Sequence, residues 1–464
     1  SGPGVFPRAF QVETVLTSPY SGPFSLPLST DVSADFDAYP FPVFFSPLYA
    51  RSSQKGPLDM SQGGLFFTQA GFFGQGGARG PDAVLRGDTG MPITASVPVS
   101  LQGVNGLGQP LCFVHSLPLR LDPGESVSLR YAYGIAPIQD TLDMVERYKD
   151  PGEDVFAETL SWWRSKLAFF APDRDPVLHR EMAWHSYSLQ SAGGFSQYFN
   201  ARIVSQGGMY LYGHGIDGAP RDFSLFTIPL TYLDPDLAKD VLRTIMEITV
   251  PEGQIKYAIM GFGKVGGLMI HEKPSDLDIF FLWALSEYLM ATRDFGFLDE
   301  KVPFYSANGL DFSGSTTVLD HVRLALTHLT QTVGFGEHGL IHVRDGDWND
   351  GISLFSPDRG ITIKKGESGF NTAFAAAVLP LAASAVAGQD PTTSSLLLST
   401  AESLKAAMLT QWTGRWFLRG WIGNGQSLGT DRLFLEPQPF AIIGGFANAE
   451  QQETLLRSIK GILD

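Results

Sequence analysis

The sequence predicts a mixed multidomain protein: an antiparallel β-sandwich over residues 1–137, a helical linker over 138–172 and a helical domain over 173–464. Three observations carry this. A chain of 464 residues is too long for one ordinary core. In its first third, apolar residues recur at every second position between turns rich in Gly and Pro. From Asp175 onward the apolar period becomes that of amphipathic helices.

The clearest strand holds Val127, Leu129, Tyr131, Tyr133 and Ile135, a strict alternation. It follows Asp122-Pro123-Gly124-Glu125, where Pro presets φ and Gly accepts a positive one. Segments 10–16, 65–73, 93–101 and 111–119 also read as strands, and antiparallel strands joined by such turns favour a sandwich. In the linker, residues 143–148 and 156–170 read as helical. Trp162 and Trp163 are taken as packing residues between domains, since large aromatics dominate such contacts.

In the helical domain, Leu277, Phe280 or Phe281, Ala284, Leu285 and Tyr288 share one face. Ser275 stands before them as N-cap, with Asp276 and Asp278 in the first turn. Leu319, Val322, Leu326, Leu329 and Val333 repeat the pattern. Further helices are expected over 176–192, 222–233, 235–249, 369–388, 394–411, 438–446 and 449–463, with Pro380 kinking or interrupting its own. No strand-like run of comparable strength separates them. Antiparallel helix pairs follow, about nine or ten helices, with Gly-rich polar loops gathered at one end.

A net charge of −15 without a basic stripe argues against nucleic acid and leaves a neutral sugar open. The single Cys112 excludes an intrachain disulfide framework and suits a reducing compartment, so a cytoplasmic location is expected. No uninterrupted apolar run reaches about 18 residues, so no membrane span is expected. The start, Ser1-Gly2-Pro3-Gly4, lacks the features of a signal peptide and an initiator Met, which suggests a chain processed, tagged or cut from something larger.

The densest chemistry lies in Arg344-Asp345-Gly346-Asp347-Trp348-Asn349-Asp350-Gly351-Ile352. Three carboxylates, an indole and an amide sit in a loop between helical runs, where catalytic groups tend to be held. In an extended backbone, Trp348 and Asp350 would point one way and Asp347 and Asn349 the other. An acid beside an apolar ring suits the general acid of glycosidic cleavage. The same residues also suit a polar turn bonded to local backbone. A second cluster, residues 206–222, holds Tyr210, Tyr212, His214, Asp217, Arg221 and Asp222 on a glycine-rich backbone. Arg221 and Asp222 can clamp a polyol, or simply close a helix N-terminus. His214 is a candidate base or ligand, though a lone loop His is more often structural. Glu367, in Gly366-Glu367-Ser368, precedes a helix and can favour its N-terminus. In Leu435-Glu436-Pro437-Gln438-Pro439-Phe440, the prolines suggest that the Gln438 amide is displayed by a fixed turn. No metal-ligand spacing, phosphate loop, dinucleotide fingerprint or nucleophile elbow is visible.

With these segments in hand, the chain resembles glycoside hydrolase family 94, the cellobiose and chitobiose phosphorylases and the related domain of cyclic β-1,2-glucan synthases. The matching pieces are Gly346-Asp347-Trp348-Asn349-Asp350-Gly351, Lys365-Gly366-Glu367-Ser368, Arg221-Asp222, Pro274-Ser275-Asp276-Leu277-Asp278 with Glu287-Tyr288 and Thr292-Arg293-Asp294, and Gln438-Pro439-Phe440-Ala441. Their order and spacing agree over residues 110–464. The resemblance implies a β-sandwich, a helical linker and an (α/α)6 barrel, incomplete in this chain. It implies Asp350 as general acid. Arg221, Asp222 and Trp348 would line the sugar pocket on the non-reducing side, with Glu367 a further substrate-binding candidate and Gln438 approaching phosphate. No cofactor or metal is implied; inorganic phosphate is the co-substrate and an oligosaccharide the partner. The sequence departs from the family after Arg221-Asp222, where Phe223-Ser224-Leu225-Phe226 replaces a stretch with a second aspartate. It also lacks the phosphate-binding His and Thr-Gly pair of the family's C-terminal part, and an upstream Arg is replaced near Tyr210.

The leading expectation is therefore inverting phosphorolysis of a β-linked gluco-oligosaccharide. An inverting hydrolase would instead need a base about 6.5–9.5 Å from the acid, with Glu367, Glu436 or Asp217 as candidates. A third reading is a non-catalytic sugar-binding module of a larger glucan-handling protein. A further C-terminal segment or chain is expected against Ile442, Ile443, Leu455, Leu456 and Ile459, with a homodimer as another option.

Overall fold

In a computed structural model of the chain, the described residues are 43–60, 63–92, 111–135, 138–148, 154–168, 175–196, 199–206, 216–260, 265–266, 272–305 and 312–463. The strands expected at 10–16 and 93–101 lie outside them. The chain divides into two compact units, Ser1–Ser165 and Lys166–Asp464.

Among its described residues, the first unit holds two antiparallel three-stranded sheets. Val127–Ile135 forms as expected and pairs with Val43–Ser52, from Val43 opposite Ile135 to Ser52 opposite Val127. Val43–Ser52 was hidden in the sequence because Pro42 and Pro47 interrupt its apolar pattern; the register shifts between Pro47 and Tyr49, where a residue without an N–H is tolerated. The turn before Val127 uses Gly124 at φ +79, and Glu125 N–H donates to Asp122 O at 2.9 Å. The run at 65–73 splits: Gly64–Thr68 is a strand, and Gln69–Phe73 turns helical because the Thr68 hydroxyl caps Gly71 N–H. The linker helices are Ile138–Tyr148 and Val155–Lys166.

The second unit is mainly helical: α1 (Pro176–Ser191), α2 (Pro220–Leu233), α3 (Pro235–Glu247), α4 (Leu277–Thr292), α5 (Val318–Thr327), α6 (Gly351–Leu354), α7 (Arg359–Lys365), α8 (Gly369–Val386), α9 (Pro391–Leu409), α10 (Pro437–Ile443) and α11 (Ala449–Leu463). An Asp-Pro pair opens three of them. Asp175, Asp234 and Asp390 each accept first-turn N–H groups, and the following Pro stands where no N–H is needed. Helix α2 packs on α3 and α4, α4 on α8, and α8 on α9 and α10. Helix α8 is apolar all round, as a core helix should be. Its length and composition would let it cross a membrane, yet 83% of it is buried inside the fold. Pro380 does not interrupt it; the helix runs unbroken, gripped by its three neighbours.

Three expectations need correction. Ser275 does not cap α4: Asp276 holds that position, and the Ser275 hydroxyl lies 2.9 Å from Val343 O instead. Small sheets do separate the helices, including the four-stranded array Ile341–His342, Glu367–Ser368, Gly420–Trp421 and Ser427–Leu428. Two-residue strands are too short to show an alternation. The apolar face of α10 and α11 is only partly bare: Leu455 is buried and Ile442 packs on the core, whereas Ile443, Leu456 and Ile462 are exposed.

Candidate active site

The chain 344–350 is fastened before it reaches Asp350. Arg344 adopts φ +53 and donates to the carbonyls of Thr332 and Val333, where α5 ends in a wide turn. Asp345 Oδ2 accepts from the Glu272 and Lys273 N–H groups at 2.6 and 2.7 Å. Ser275 N–H donates to Gly346 O at 2.9 Å. Asp347 is fully buried: Oδ1 takes Arg419 Nη2 at 2.7 Å and Asn349 N–H at 2.9 Å, and Oδ2 takes the Ser368 hydroxyl at 2.5 Å. Asn349 Oδ1 then accepts Gly351 N–H at 3.1 Å and leads into α6.

The loop is therefore a run of side-chain-bonded turns rather than extended chain, with Asp350 itself in the helical region at φ −51, ψ −28. Asp347 turns inward. Trp348 is 49% exposed and the Asp350 side chain 41% exposed. The polar-turn reading holds for Asp347 and Asn349, which accept local N–H groups, while the Asp350 side chain is left partly exposed.

Arg221 reaches this loop from the first turn of α2. Only 6% exposed, it forks onto Asp276 at 2.9 and 3.2 Å, donates to Asp347 O at 3.1 Å and meets Asp350 Oδ1 at 3.4 Å. Its guanidinium also lies 5.8 Å from the centre of the Tyr257 ring, which is 7% exposed. Burial raises Asp276 to about 6 despite the opposing pull of the Arg221 fork. Burial also raises Asp222 above the usual carboxylate range; Arg221 pulls it back and the nearby Asp350 charge adds to the rise. Arg221, Asp222, Tyr257, Asp276 and Asp350 thus form one electrostatic group.

The other predicted residues are distributed differently. Glu436 stands at the N-cap of α10, with Oε1 at 3.4 Å from Asn349 Nδ2 and 3.6 Å from Arg419 Nε. Glu367 is 2% exposed; it accepts from the N–H groups of His338 and Leu340 and pairs with the His338 ring, which stacks on Trp421. Neighbouring strand residues face opposite ways, so Ser368 serves Asp347 while Glu367 serves the 338–340 turn. Gln438 is not displayed by a turn. It lies in the first turn of α10, fully buried, where flanking prolines cost no helical bond. Its amide donates to Phe417 O and Phe434 O and accepts from Phe417 N–H, at 2.8, 2.9 and 2.9 Å. Asp217 lies in the strand Ile216–Gly218, just before α2. His214, Tyr210 and Tyr212 fall outside the described residues.

Sequence reasoning missed Tyr257 and Arg419 and gave Asp276 only a helix-end role. The sole signal for Arg419 was a charged residue inside the apolar run Trp416-Phe417-Leu418-Arg419-Gly420-Trp421.

Within the mainly helical unit, the site thus presents an arginine-bonded aspartate two residues from an exposed indole. The profile described as "Glycosyl hydrolase 94 superfamily, catalytic domain" matches residues 182–464, and the chain belongs to that superfamily. Solabiose phosphorylase of Paenibacillus borealis is 27% identical over 240 residues, covering 50% of this chain and 28% of that protein. N,N'-diacetylchitobiose phosphorylase of Vibrio proteolyticus is 22% identical over 380 residues, covering 73% and 43%. The chain spans less than half the length of these curated relatives. A solved rhamnosidase from Klebsiella oxytoca with rhamnose bound aligns at a TM-score of 0.47 and 12% identity, over 91% of this chain and 70% of that one.

Proposed function

We propose that this chain carries the acid-bearing site for inverting phosphorolysis of a β-linked gluco-disaccharide or oligosaccharide. The observation that carries the reading is the half-exposed Asp350, 3.4 Å from a buried arginine and two residues from an exposed Trp348. Protonated Asp350 gives its proton to the glycosidic oxygen as the bond from C1 to that oxygen breaks. A phosphate oxygen bonds C1 from the opposite face, and an α-configured sugar 1-phosphate leaves. Phosphate is already a nucleophile, so no second catalytic carboxylate is required. Arg221 and Asp222 bind sugar hydroxyls, and Trp348 offers a flat apolar face to the ring. The relatives' names, which are those of phosphorylases, support phosphate as the nucleophile.

Gln438 enters this reading as a brace between Phe417 and Phe434, because its two N–H groups are taken by backbone carbonyls. Glu367 enters as the residue that orients His338. The exposed Ile443, Leu456 and Ile462 support a further segment or chain covering that face. A hydrolytic second reading rests on Glu436, a carboxylate close to Asn349 and the candidate water-activating base.

The test is a screen of α-glucose 1-phosphate and related donors against acceptor sugars, following phosphate release. Release that depends on both donor and acceptor supports phosphorolysis. Sugar cleavage at full rate without phosphate supports the hydrolase, and no turnover with measurable sugar binding supports a binding module.

A further inference from the structure

We propose that Arg419 is the positioning residue of the acid loop: lodged between Asp347 and Glu436, it sets the place of Asp350 by holding Asp347. The inference rests on the reading of Asp350 as the acid.

Arg419 is 1% exposed, so its charge must be answered inside the fold. Nη2 meets Asp347 Oδ1 at 2.7 Å and Nη1 meets the Ser368 hydroxyl at 3.3 Å, while that hydroxyl bonds the other oxygen of Asp347. The same Asp347 Oδ1 receives Asn349 N–H, the bond that folds the chain just before Asp350. The turn bearing the acid is thus built on a carboxylate that Arg419 grips.

A second tie reaches the same turn from the far side. Arg419 Nε is buried with no hydrogen-bond partner among the described residues, and it faces Glu436 Oε1 at 3.6 Å. Asn349 Nδ2 approaches that same oxygen at 3.4 Å. Asn349 is therefore held through its backbone by Asp347 and through its amide by Glu436, with Arg419 between the two carboxylates. The guanidinium also lies 5.7 Å from the centre of the Phe370 ring, and Phe370 is 6.5 Å from Trp348. One planar fork, backed by an aromatic face, restrains Trp348, Asn349 and Asp350 together. A lysine has neither the fork nor the flat face.

The test compares the wild-type chain with Arg419→Lys, Arg419→Gln and the double variant Asp347→Asn/Arg419→Met. Two readouts are taken: hydrogen exchange of peptides spanning 344–352 against peptides from α3, and kcat with KM for the sugar. The expected result is faster exchange confined to the acid loop in Arg419→Lys, with kcat lowered about 100-fold by misplacement and KM for the sugar little changed. The double variant, which removes the fully buried Asp347–Arg419 pair together and leaves only the partly exposed Glu436 without its cation, is expected to fold without regaining loop protection. Exchange raised equally in α3 would overturn the proposal in favour of a general stabilising role. So would a double variant with wild-type loop protection and kcat, since charge neutralisation alone would then suffice. If the wild type shows no turnover, the acid reading fails, and the exchange comparison still decides whether Arg419 holds the loop.

Discussion

Arg221 meets Asp350 at 3.4 Å while its other edge is locked onto both oxygens of Asp276 at 2.9 and 3.2 Å. The second contact explains the first. A long cation would ordinarily be too mobile to place an acid, but a fork held by a buried carboxylate has little freedom left. Asp276 gives up its role as a side-chain helix cap for this purpose. Precision at Asp350 therefore depends on a residue that no substrate need touch.

The Arg221–Asp276 pair is expected to matter to stability and, on the proposed function, to sugar binding. Arg221→Ala leaves a fully buried carboxylate unanswered and is expected to cost about 3–5 kcal/mol. Sugar affinity should fall as well, and Arg221→Lys should recover stability better than binding. Denaturant melts with calorimetric sugar titrations measure both. An Arg221→Ala protein as stable as wild type, with unaltered affinity, would remove Arg221 from the site.

Gln438 offers a separate check on where phosphate sits. Its amide bonds three backbone groups, so Gln438→Leu should cost about 1–3 kcal/mol through the groups left unpaired. KM for phosphate should stay near wild type in the folded fraction. A large rise in that KM at unchanged stability would return Gln438 to the phosphate site.

Glu247 gives a pH dependence. Its Oε2 is buried without a hydrogen-bond partner among the described residues. Burial pushes its carboxyl up to about 7 against the pull of Arg243, with Asp240 and Glu300 adding to the rise. Between the unfolded value of 4.5 and about 7, the folded state keeps a proton that the unfolded state has lost. Stability from this group is thus present below 4.5 and declines as pH rises across that window. Glu247→Gln should be more stable than wild type at about pH 8, by on the order of 2 kcal/mol, and equal to it at about pH 4. Thermal melts at both values test this; equal stability at the higher pH would refute it.

Most of the helices were legible because an apolar stripe and the change of period at Asp175 are local signals; the short α6 and α7 carry too few turns to show one and were not expected. The loop 344–352 stood out by composition, since few stretches put three carboxylates beside an indole. What joins these parts was not legible. The strands Glu367–Ser368 and Gly420–Trp421 are two residues long, and their pairing comes only from the packed helices around them. Arg419 reads locally as a misplaced charge, and its partner Asp347 lies 72 positions away. Gln438 misled because its prolines look like turn residues, whereas the first turn of a helix accepts them equally well. Chemistry written within one segment could be read from the sequence; chemistry shared between distant segments required the fold.

The central claim is that Asp350 protonates the glycosidic oxygen while phosphate attacks. The most direct measurement follows ³¹P NMR of wild type and Asp350→Asn with an unactivated β-linked gluco-disaccharide and inorganic phosphate. An α-configured sugar 1-phosphate should form with the wild type only when phosphate is present. With Asp350→Asn the rate should drop about 10²–10⁴-fold while the protein stays folded, because an amide cannot deliver the proton. A folded Asp350→Asn protein forming that product at a near-normal rate would contradict the account.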